Sequence, residues 1–441
     1  MRVRPGADVA GGSLTDHSAR ANHSAEANPD RPPVVVAGGF QTAVVLMRSL
    51  ANRGVEVHAI DSQLSQPIFY TVYGTAHLCP DSDRQPAEWR DFMIALSERI
   101  CLRAGRKPIL ISSSDQYVTA MAEHAAALEP WFTFCQSSVA SQALLATKKK
   151  QYSMAGDLGL PVPKTLFVES PDDVREFART ATFPAILKPL HFREWKQIPP
   201  SHPLFEKKLI VVASREELES QYLVAAKINP QMVVQEMIEG PDTAKLVYLS
   251  CYDRNSRRIA ACMIRQIRTF PISFGSAGLV EPAEDPEADR LCDEFLRKLG
   301  YFGLCEIELK RDTRDGRVKM IEANPRFSVT ADAAVYAGVD LGWIHYLDLA
   351  GETVDPVFPD GRYFRHIALF RDVPSFHSYI RAGLLTWGGF LKSYQGRVFF
   401  FDFDLNDRRV TLRTVVSLAK MAAGALIRTV FPNFRRRRDS Q

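Results

Sequence analysis

Four apolar residues in a row, Val34-Val35-Val36-Ala37, run into Gly38-Gly39. Apolar positions at helical spacing then follow, Val44, Leu46 and Leu50, up to Arg53-Gly54. An unbroken apolar run of this length predicts a parallel strand buried on both faces, entering a tight turn. A second strand is predicted over Val55 to Ile60, ending at Asp61, and another over Pro108 to Ser112, ending near Asp115. Strand, helix and strand in this rhythm predict a small α/β domain with a parallel sheet. Upstream, residues 1–32 carry almost no large apolar side chains, so they are read as a disordered tail.

From Ser141 the pattern changes. A helical stretch ends at Gly159, a C-cap residue, with Pro161 and Pro163 beyond it. Strand-like runs follow at Ala185–Lys188, Leu209–Ala213, Met232–Glu236, Lys245–Tyr252, Leu304–Lys310 and Arg317–Ala323. Helices are predicted over Pro171–Arg179, Arg215–Ala225 and Pro286–Leu299. No internal repeat interrupts this alternation.

Composition narrows the class. With 46% hydrophobic and 24% charged residues, the 441-residue chain reads as globular and large enough for two or three domains. A net charge of +4 is too small to make nucleic acid the main partner, and Arg435 to Arg438 account for it. The seven cysteines stand singly with no CxxC pair, which predicts reduced thiols in a cytoplasmic protein. No apolar run approaches a membrane span. Gly38-Gly39 lacks the full glycine pattern of a dinucleotide fold, so a βα turn that needs small residues is preferred over NAD binding with Asp61 on a ribose.

The chemistry concentrates in two segments, Gly303 to Lys310 (GLCEIELK) and Lys319 to Arg326 (KMIEANPR). Alternation puts Glu306 and Glu308 on one face of the first strand, and Glu322 and Asn324 on one face of the second. A three-residue loop centred on Asp315, with Gly316 left-handed, sets Glu308 opposite Glu322. Facing like charges are destabilising: at about 4 Å and an effective dielectric of 20 the repulsion is about 4 kcal/mol. A divalent cation between them reverses that sign. An all-oxygen set completed by Asn324 suits Mg2+, with Mn2+ as a substitute. The alternative from the residues alone is a solvated acidic hairpin.

These segments, above all IEANPRF at 321–327, resemble the ATP-grasp superfamily and its carboxylate–amine ligase branch, including D-aspartate ligase-like and carbamoyl-phosphate synthase large-subunit-like proteins. The resemblance spans about residues 33 to 351. It implies a parallel α/β (pre-ATP-grasp) domain at 33–125 and a two-lobed catalytic domain with antiparallel sheets at 126–351, whose mobile lobe is about 165–240. A C-terminal extension covers 352–441. By the same resemblance, Glu308, Glu322 and Asn324 are the metal ligands, and Glu306 is a further acid on their face. Lys148 (or Lys149 or Lys150) and Lys188 meet ATP phosphates, Gln235, Glu236 and Ile238 lie along the base, and Asp242 binds the ribose. Arg326 and Arg268 are the implied catalytic anion clamps, with Arg265 behind them. The family's glycine-rich phosphate loop is missing after Lys188, where a Trp-containing segment stands instead, with Lys207 and Lys208 near its end.

The implied activity is an ADP-forming ligation of a small-molecule carboxylate to an amine. Two other readings stay open: a nucleotide-binding sensor or scaffold without catalysis, and a small-molecule kinase. Thr411 to Phe431 reads as an apolar helix with one narrow stripe of Arg413, Lys420 and Arg428. It suits either docking on the body of the protein or peripheral contact with an anionic membrane.

Overall fold

The protein is described by a computed structural model covering residues 28–135, 148–190, 194–195, 197–205 and 207–430. The side chains of Lys148 and of residues 421–430 lie outside the described set, as do the Arg435–Arg438 run and all but residues 28–32 of the expected tail.

The N-terminal domain carries strands β1 (Val34–Ala37), β2 (Val57–Asp61), β3 (Thr75–Leu78) and β4 (Ile109–Ser112) in one sheet, order β3-β2-β1-β4, with every pairing parallel. Val34 and Val36 face the helix Gln41–Ala51, while Val35 and Ala37 face the helices Pro86–Ala104 and Asp115–Glu123. Burial on both faces is why the strand lacks alternation. The sequence reading gave neither β3 nor the helix Pro86–Ala104.

A second lobe holds β5 (Thr165–Val168), β6 (Ala185–Pro189), β7 (Ile210–Val212) and β8 (Met232–Glu236), in antiparallel order β5-β8-β6-β7. Two helices cover one face. Pro171–Thr180 starts at a capping box of Ser170 and Asp173, with Pro171 in its first turn. Arg215–Ala225 starts at Ser214, which accepts from the Glu217 amide.

The third and largest sheet contains β9 (Lys245–Tyr252), β10 (Arg258–Phe270), β11 (Ser276–Pro282), β12 (Gly303–Arg311), β13 (Val318–Asn324), β14 (Arg365–Ile367) and β15 (Val398–Phe400). Its order is β13-β12-β9-β10-β11-β14-β15. One face packs on the helix Pro286–Lys298 through Tyr248, Met263, Ile307 and Phe295. The other shares a continuous core with the N-terminal domain, joining Val34 and Leu46 to Val247, Leu249 and Leu341. The expected α/β fold with one parallel sheet, a two-lobed region of antiparallel sheets and a C-terminal helix is therefore the observed one.

The described residues beyond 351 are woven into this sheet. β14 pairs antiparallel with β11 and parallel with β15, so the segment supplies two of the seven strands. The helix Leu369–Arg381 comes so close to β11 that a Cβ on Gly278 would stand 2.9 Å from the Asp372 amide nitrogen. The last described helix, Arg408–Val430, docks its first turns on the body. Thr71 and the Val72 amide donate to Asp407, Val410 and Thr414 are buried, and Arg413 lies over the Tyr70 ring.

Candidate active site

The acids meet as the alternation argument requires, by a different route. Arg311 pairs with Val318, and the Asp312 amide donates to the Arg317 carbonyl, so the turn is one residue longer than the expected three. Gly316 adopts the left-handed conformation expected of it, φ +71°. A register shift between Glu308 and Leu309 then bulges Ile321 out of the ladder and restores the pairing. Glu308 stands opposite Glu322, and Glu306 opposite Asn324.

β13 is an edge strand, and its free side is covered by the helix Lys148–Leu158. Gln151 behaves like a missing strand: its Nε2 donates to the Ala323 carbonyl at 2.6 Å and its Oε1 accepts from the Ala323 amide at 3.0 Å. Tyr152 donates to the Ile321 carbonyl at 2.6 Å. These contacts fix the strand that carries Glu322 and Asn324.

Crowding makes the central carboxyl a weaker acid. Burial, then Glu306 and Glu322, push Glu308 up to about 8, against the opposing pull of Lys245 and Arg326. Glu306 accepts from Asn324 Nδ2 at 3.1 Å and from the Thr330 hydroxyl. Among the described residues no cluster of three or more His, Cys, Asp or Glu side chains is arranged to hold a metal ion by itself. Two facing carboxylates and an amide are a leaner set, and they fit a divalent cation that takes its remaining ligands from phosphate and water.

The second lobe brings its lysine to the same cleft. Lys188, on β6, donates to Gln235 Oε1 at 3.2 Å and sits 5.8 Å from the centre of the Tyr152 ring. The Tyr152 hydroxyl is held protonated by burial first, with Glu322 and Glu308 adding to the effect. Tyr152 thus joins Lys188 to the acidic pair. Gln235 spends its amide on Thr165 Oγ1 at 2.8 Å, and Glu236 accepts from the Thr182 amide at 2.7 Å. Both tie β8 to its neighbours, and Ile238 is buried just beyond.

Arg326 follows β13 and is gripped by the N-terminal domain. Its Nε reaches Asp115 Oδ1 at 2.6 Å, and a second nitrogen reaches Oδ2 at 3.2 Å and Asn324 Oδ1 at 3.4 Å. The Phe327 amide donates to the Ser112 carbonyl at 3.1 Å. Nearby, a Cβ on Gly38 would stand 2.3 Å from Ser113 Oγ, and one on Gly39 would stand 2.5 Å from Asp61 Oδ2. The paired glycines serve that close approach of β1 to the ends of β2 and β4.

Two arrangements differ from what the resemblance implies. Arg268 follows a β-bulge after Gln266, and its guanidinium leaves the cleft. It forms a buried two-point pair with Asp372, 2.7 and 2.8 Å, and donates to Ser393 Oγ at 2.9 Å. Its donors are spent on the C-terminal segment instead of a phosphate. Asp242, implied for a ribose, is buried among Lys245 at 2.9 Å, Thr269 Oγ1 at 2.9 Å, the Ser273 amide at 3.1 Å and the Tyr379 hydroxyl. Burial would raise its pKa, but Lys245 and these donors outweigh it and hold the carboxyl low. The sequence reading also passed over Gln151, Tyr152, Lys245 and Lys310. Lys310 was detectable, because it lies on the alternation that marked Glu306 and Glu308.

The chain matches no protein-family profile. It is 25% identical over 272 residues to D-aspartate ligase of Enterococcus faecium (strain Aus0004), covering 59% of this chain and 62% of that protein. It is 26% identical over 189 residues to the carbamoyl phosphate synthase arginine-specific large chain of Bacillus subtilis (strain 168), covering 41% of this chain and 17% of that one. The chain thus spans less than two thirds of either relative. Among solved structures, N5-carboxyaminoimidazole synthetase from Staphylococcus aureus complexed with ADP aligns with a TM-score of 0.55 at 15% identity, over 77% of this chain and 82% of that one. The biotin carboxylase domain of Hydrogenobacter thermophilus 2-oxoglutarate carboxylase, in complex with MgADP, ADP and bicarbonate, aligns at 0.54 and 16% identity, over 73% and 70%. Sheet order, facing acids and these likenesses agree: the chain has the fold of these nucleotide-bound structures and is similar in sequence to ATP-grasp carboxylate–amine ligases.

Proposed function

We propose that this protein is an ATP-dependent, ADP-forming ligase that activates a small-molecule carboxylate as an acyl phosphate and joins it to an amine. The observation that carries the reading is the half-buried cross-strand pair of Glu308 and Glu322 beside the buried Asn324, in one cleft with Lys188. A scaffold has no use for facing acids that oppose folding, whereas a phosphoryl-transfer site does.

A magnesium ion held by Glu308, Glu322 and Asn324 would neutralise the β- and γ-phosphates of ATP. The chain's own residues do the rest by position and charge. Lys188 and Lys148 meet the phosphates as point charges, and the segment from Gln235 to Ile238 lies along the base. Arg326, aimed by Asp115, meets the γ-phosphate and later the acyl phosphate. A carboxylate oxygen of the substrate attacks the γ-phosphorus, and the bond to the β-phosphate oxygen breaks, releasing ADP. The amine then adds to the acyl carbon, phosphate leaves, and the amine's proton passes to solvent. No covalent nucleophile is required of the protein. The Gly38 and Ser113 turns and Asp115 would receive one of the two substrates.

The test is a screen for magnesium-dependent ADP release over amino acids and small carboxylates, with Glu322→Ala as control. The reading predicts release that needs both substrates and disappears in the variant. A stable phosphorylated product would indicate a kinase instead, and release unchanged in the variant would remove the metal assignment.

A further inference from the structure

The large sheet carries a second cross-strand pair of like charge. Lys310 lies opposite Lys245 in the β12–β9 register. It is two residues on from Glu308, hence on the same face and roughly 7 Å along the strand. Such pairs are normally destabilising.

The two lysines differ in how they are met. Lys245 is 6% exposed and held by Asp242 at 2.9 Å and by the Ser273 carbonyl at 2.6 Å. Lys310 is equally buried, at 6%, yet no hydrogen bond or ion pair to another described residue engages its ammonium. The acids around it are already committed. Asp242 is taken by Lys245, Asp312 by Arg314 at 2.7 Å and Lys319 at 2.8 Å, and Glu239 lies 4.0 Å from Arg314. One position past the Arg265–Leu246 pair, and so beside Lys245, Gln266 is 3% exposed with an Oε1 that has no partner. One row of the cleft thus holds an unmet buried donor and an unmet buried acceptor. Orphans of this kind mark a place where a ligand supplies the partners.

We propose, resting on the nucleotide reading above, that Lys310 is an anion-binding residue that takes a phosphate oxygen of a nucleoside polyphosphate on the side of the metal nearer Asp242. The direction of β12 selects this anion over the substrate carboxylate. Glu306 lies toward Asn324 and Arg326, whereas Lys310 lies beyond Glu308 in the opposite direction, toward Asp242 and Glu239, just past the segment from Gln235 to Ile238. An acidic pair for a cation and a basic pair for an anion, in successive rows of one face, match the charge pattern of a metal polyphosphate.

The test compares MgADP and adenosine binding by calorimetry, with thermal unfolding of the ligand-free protein, for the full chain and Lys310→Met. The unmodified protein should bind MgADP, and the variant should bind it about ten- to a hundredfold more weakly. Adenosine affinity should be unchanged. The unfolding temperature should be unchanged or higher, because an unmet buried charge has been replaced by an apolar stem of similar shape. Lys310→Arg keeps the charge and should retain most of the MgADP affinity. Equal MgADP affinity in Lys310→Met overturns the proposal. So do a parallel loss for adenosine and a loss in Lys310→Arg as large as in Lys310→Met. Failure of the unmodified protein to bind MgADP would show in the first titration, before any variant, and would overturn the nucleotide reading together with this inference.

Discussion

At the β14 side of the seven-stranded sheet, buried charges meet their opposites. Arg268 and Asp372 form a two-point pair with side chains 3% and 0% exposed, and His366 reaches Asp332 at 2.8 Å. At the β13 edge of the same sheet, like faces like: Glu308 opposes Glu322, and one row further Lys310 opposes Lys245. The first arrangement needs nothing from outside and pins the C-terminal segment to the sheet. The second sets like charges against each other at a cost to folding, as a site kept for binding a ligand does. Charge buried with its complement is structure, and charge set against its own sign is function.

That contrast predicts opposite responses to neutralising one member of each pair. Asp372→Ala should be the most damaging change, because it strands Arg268 inside the protein; a loss of about 3–5 kcal/mol is expected in urea unfolding. A loss below about 1 kcal/mol would mean that the pair is not the anchor described here. Glu322→Gln should act the other way round. ADP release should fall on the order of a hundredfold or more, about 2.7 kcal/mol of barrier, while the ligand-free protein unfolds at the same or a higher temperature. A variant that is both destabilised and active would dissolve the distinction.

Two smaller effects sharpen it. Gln151→Ala removes the side chain that pairs both backbone groups of Ala323, so about 1–3 kcal/mol of stability should be lost. The second effect is a pH dependence. Glu308 has a folded pKa of about 8, above its ordinary value of 4.5. As pH rises through that window the unfolded chain releases its proton first, so the ligand-free protein should lose stability up to about pH 8 and level off above it. MgADP binding should strengthen over the same range, since the cation displaces that proton. Glu308→Gln should flatten both curves, and thermal scans and titrations across the range read the result.

Much of the fold was legible because periodicity and caps are local. Helix Arg215–Ala225 and strands Met232–Glu236 and Lys245–Tyr252 fall where the pattern put them. The acid pairing was also legible, through two deviations that cancel: a loop one residue longer than supposed, and a bulge at Ile321 that takes the residue back. Local turn chemistry cannot reveal a bulge five residues away. Arg268 was misleading for a related reason, since the bulge before it turns the side chain toward Asp372, more than a hundred residues on. The role of the described residues beyond 351 was hidden because β14 and β15 are three residues each, too short to carry a period. Lys310 was within reach of the alternation that found Glu306 and Glu308, and only the structure reveals that its ammonium is unmet while Lys245 is paired.

The cation itself is the most direct point of attack. Mn2+ in place of Mg2+ allows binding to the full chain to be followed by electron paramagnetic resonance in the presence of ADP. The unmodified protein should immobilise Mn2+, and the Glu308→Gln/Glu322→Gln double variant, folded by its thermal transition, should leave it free in solution. Equal Mn2+ binding by the two proteins would contradict the claim that these facing acids exist to hold a metal.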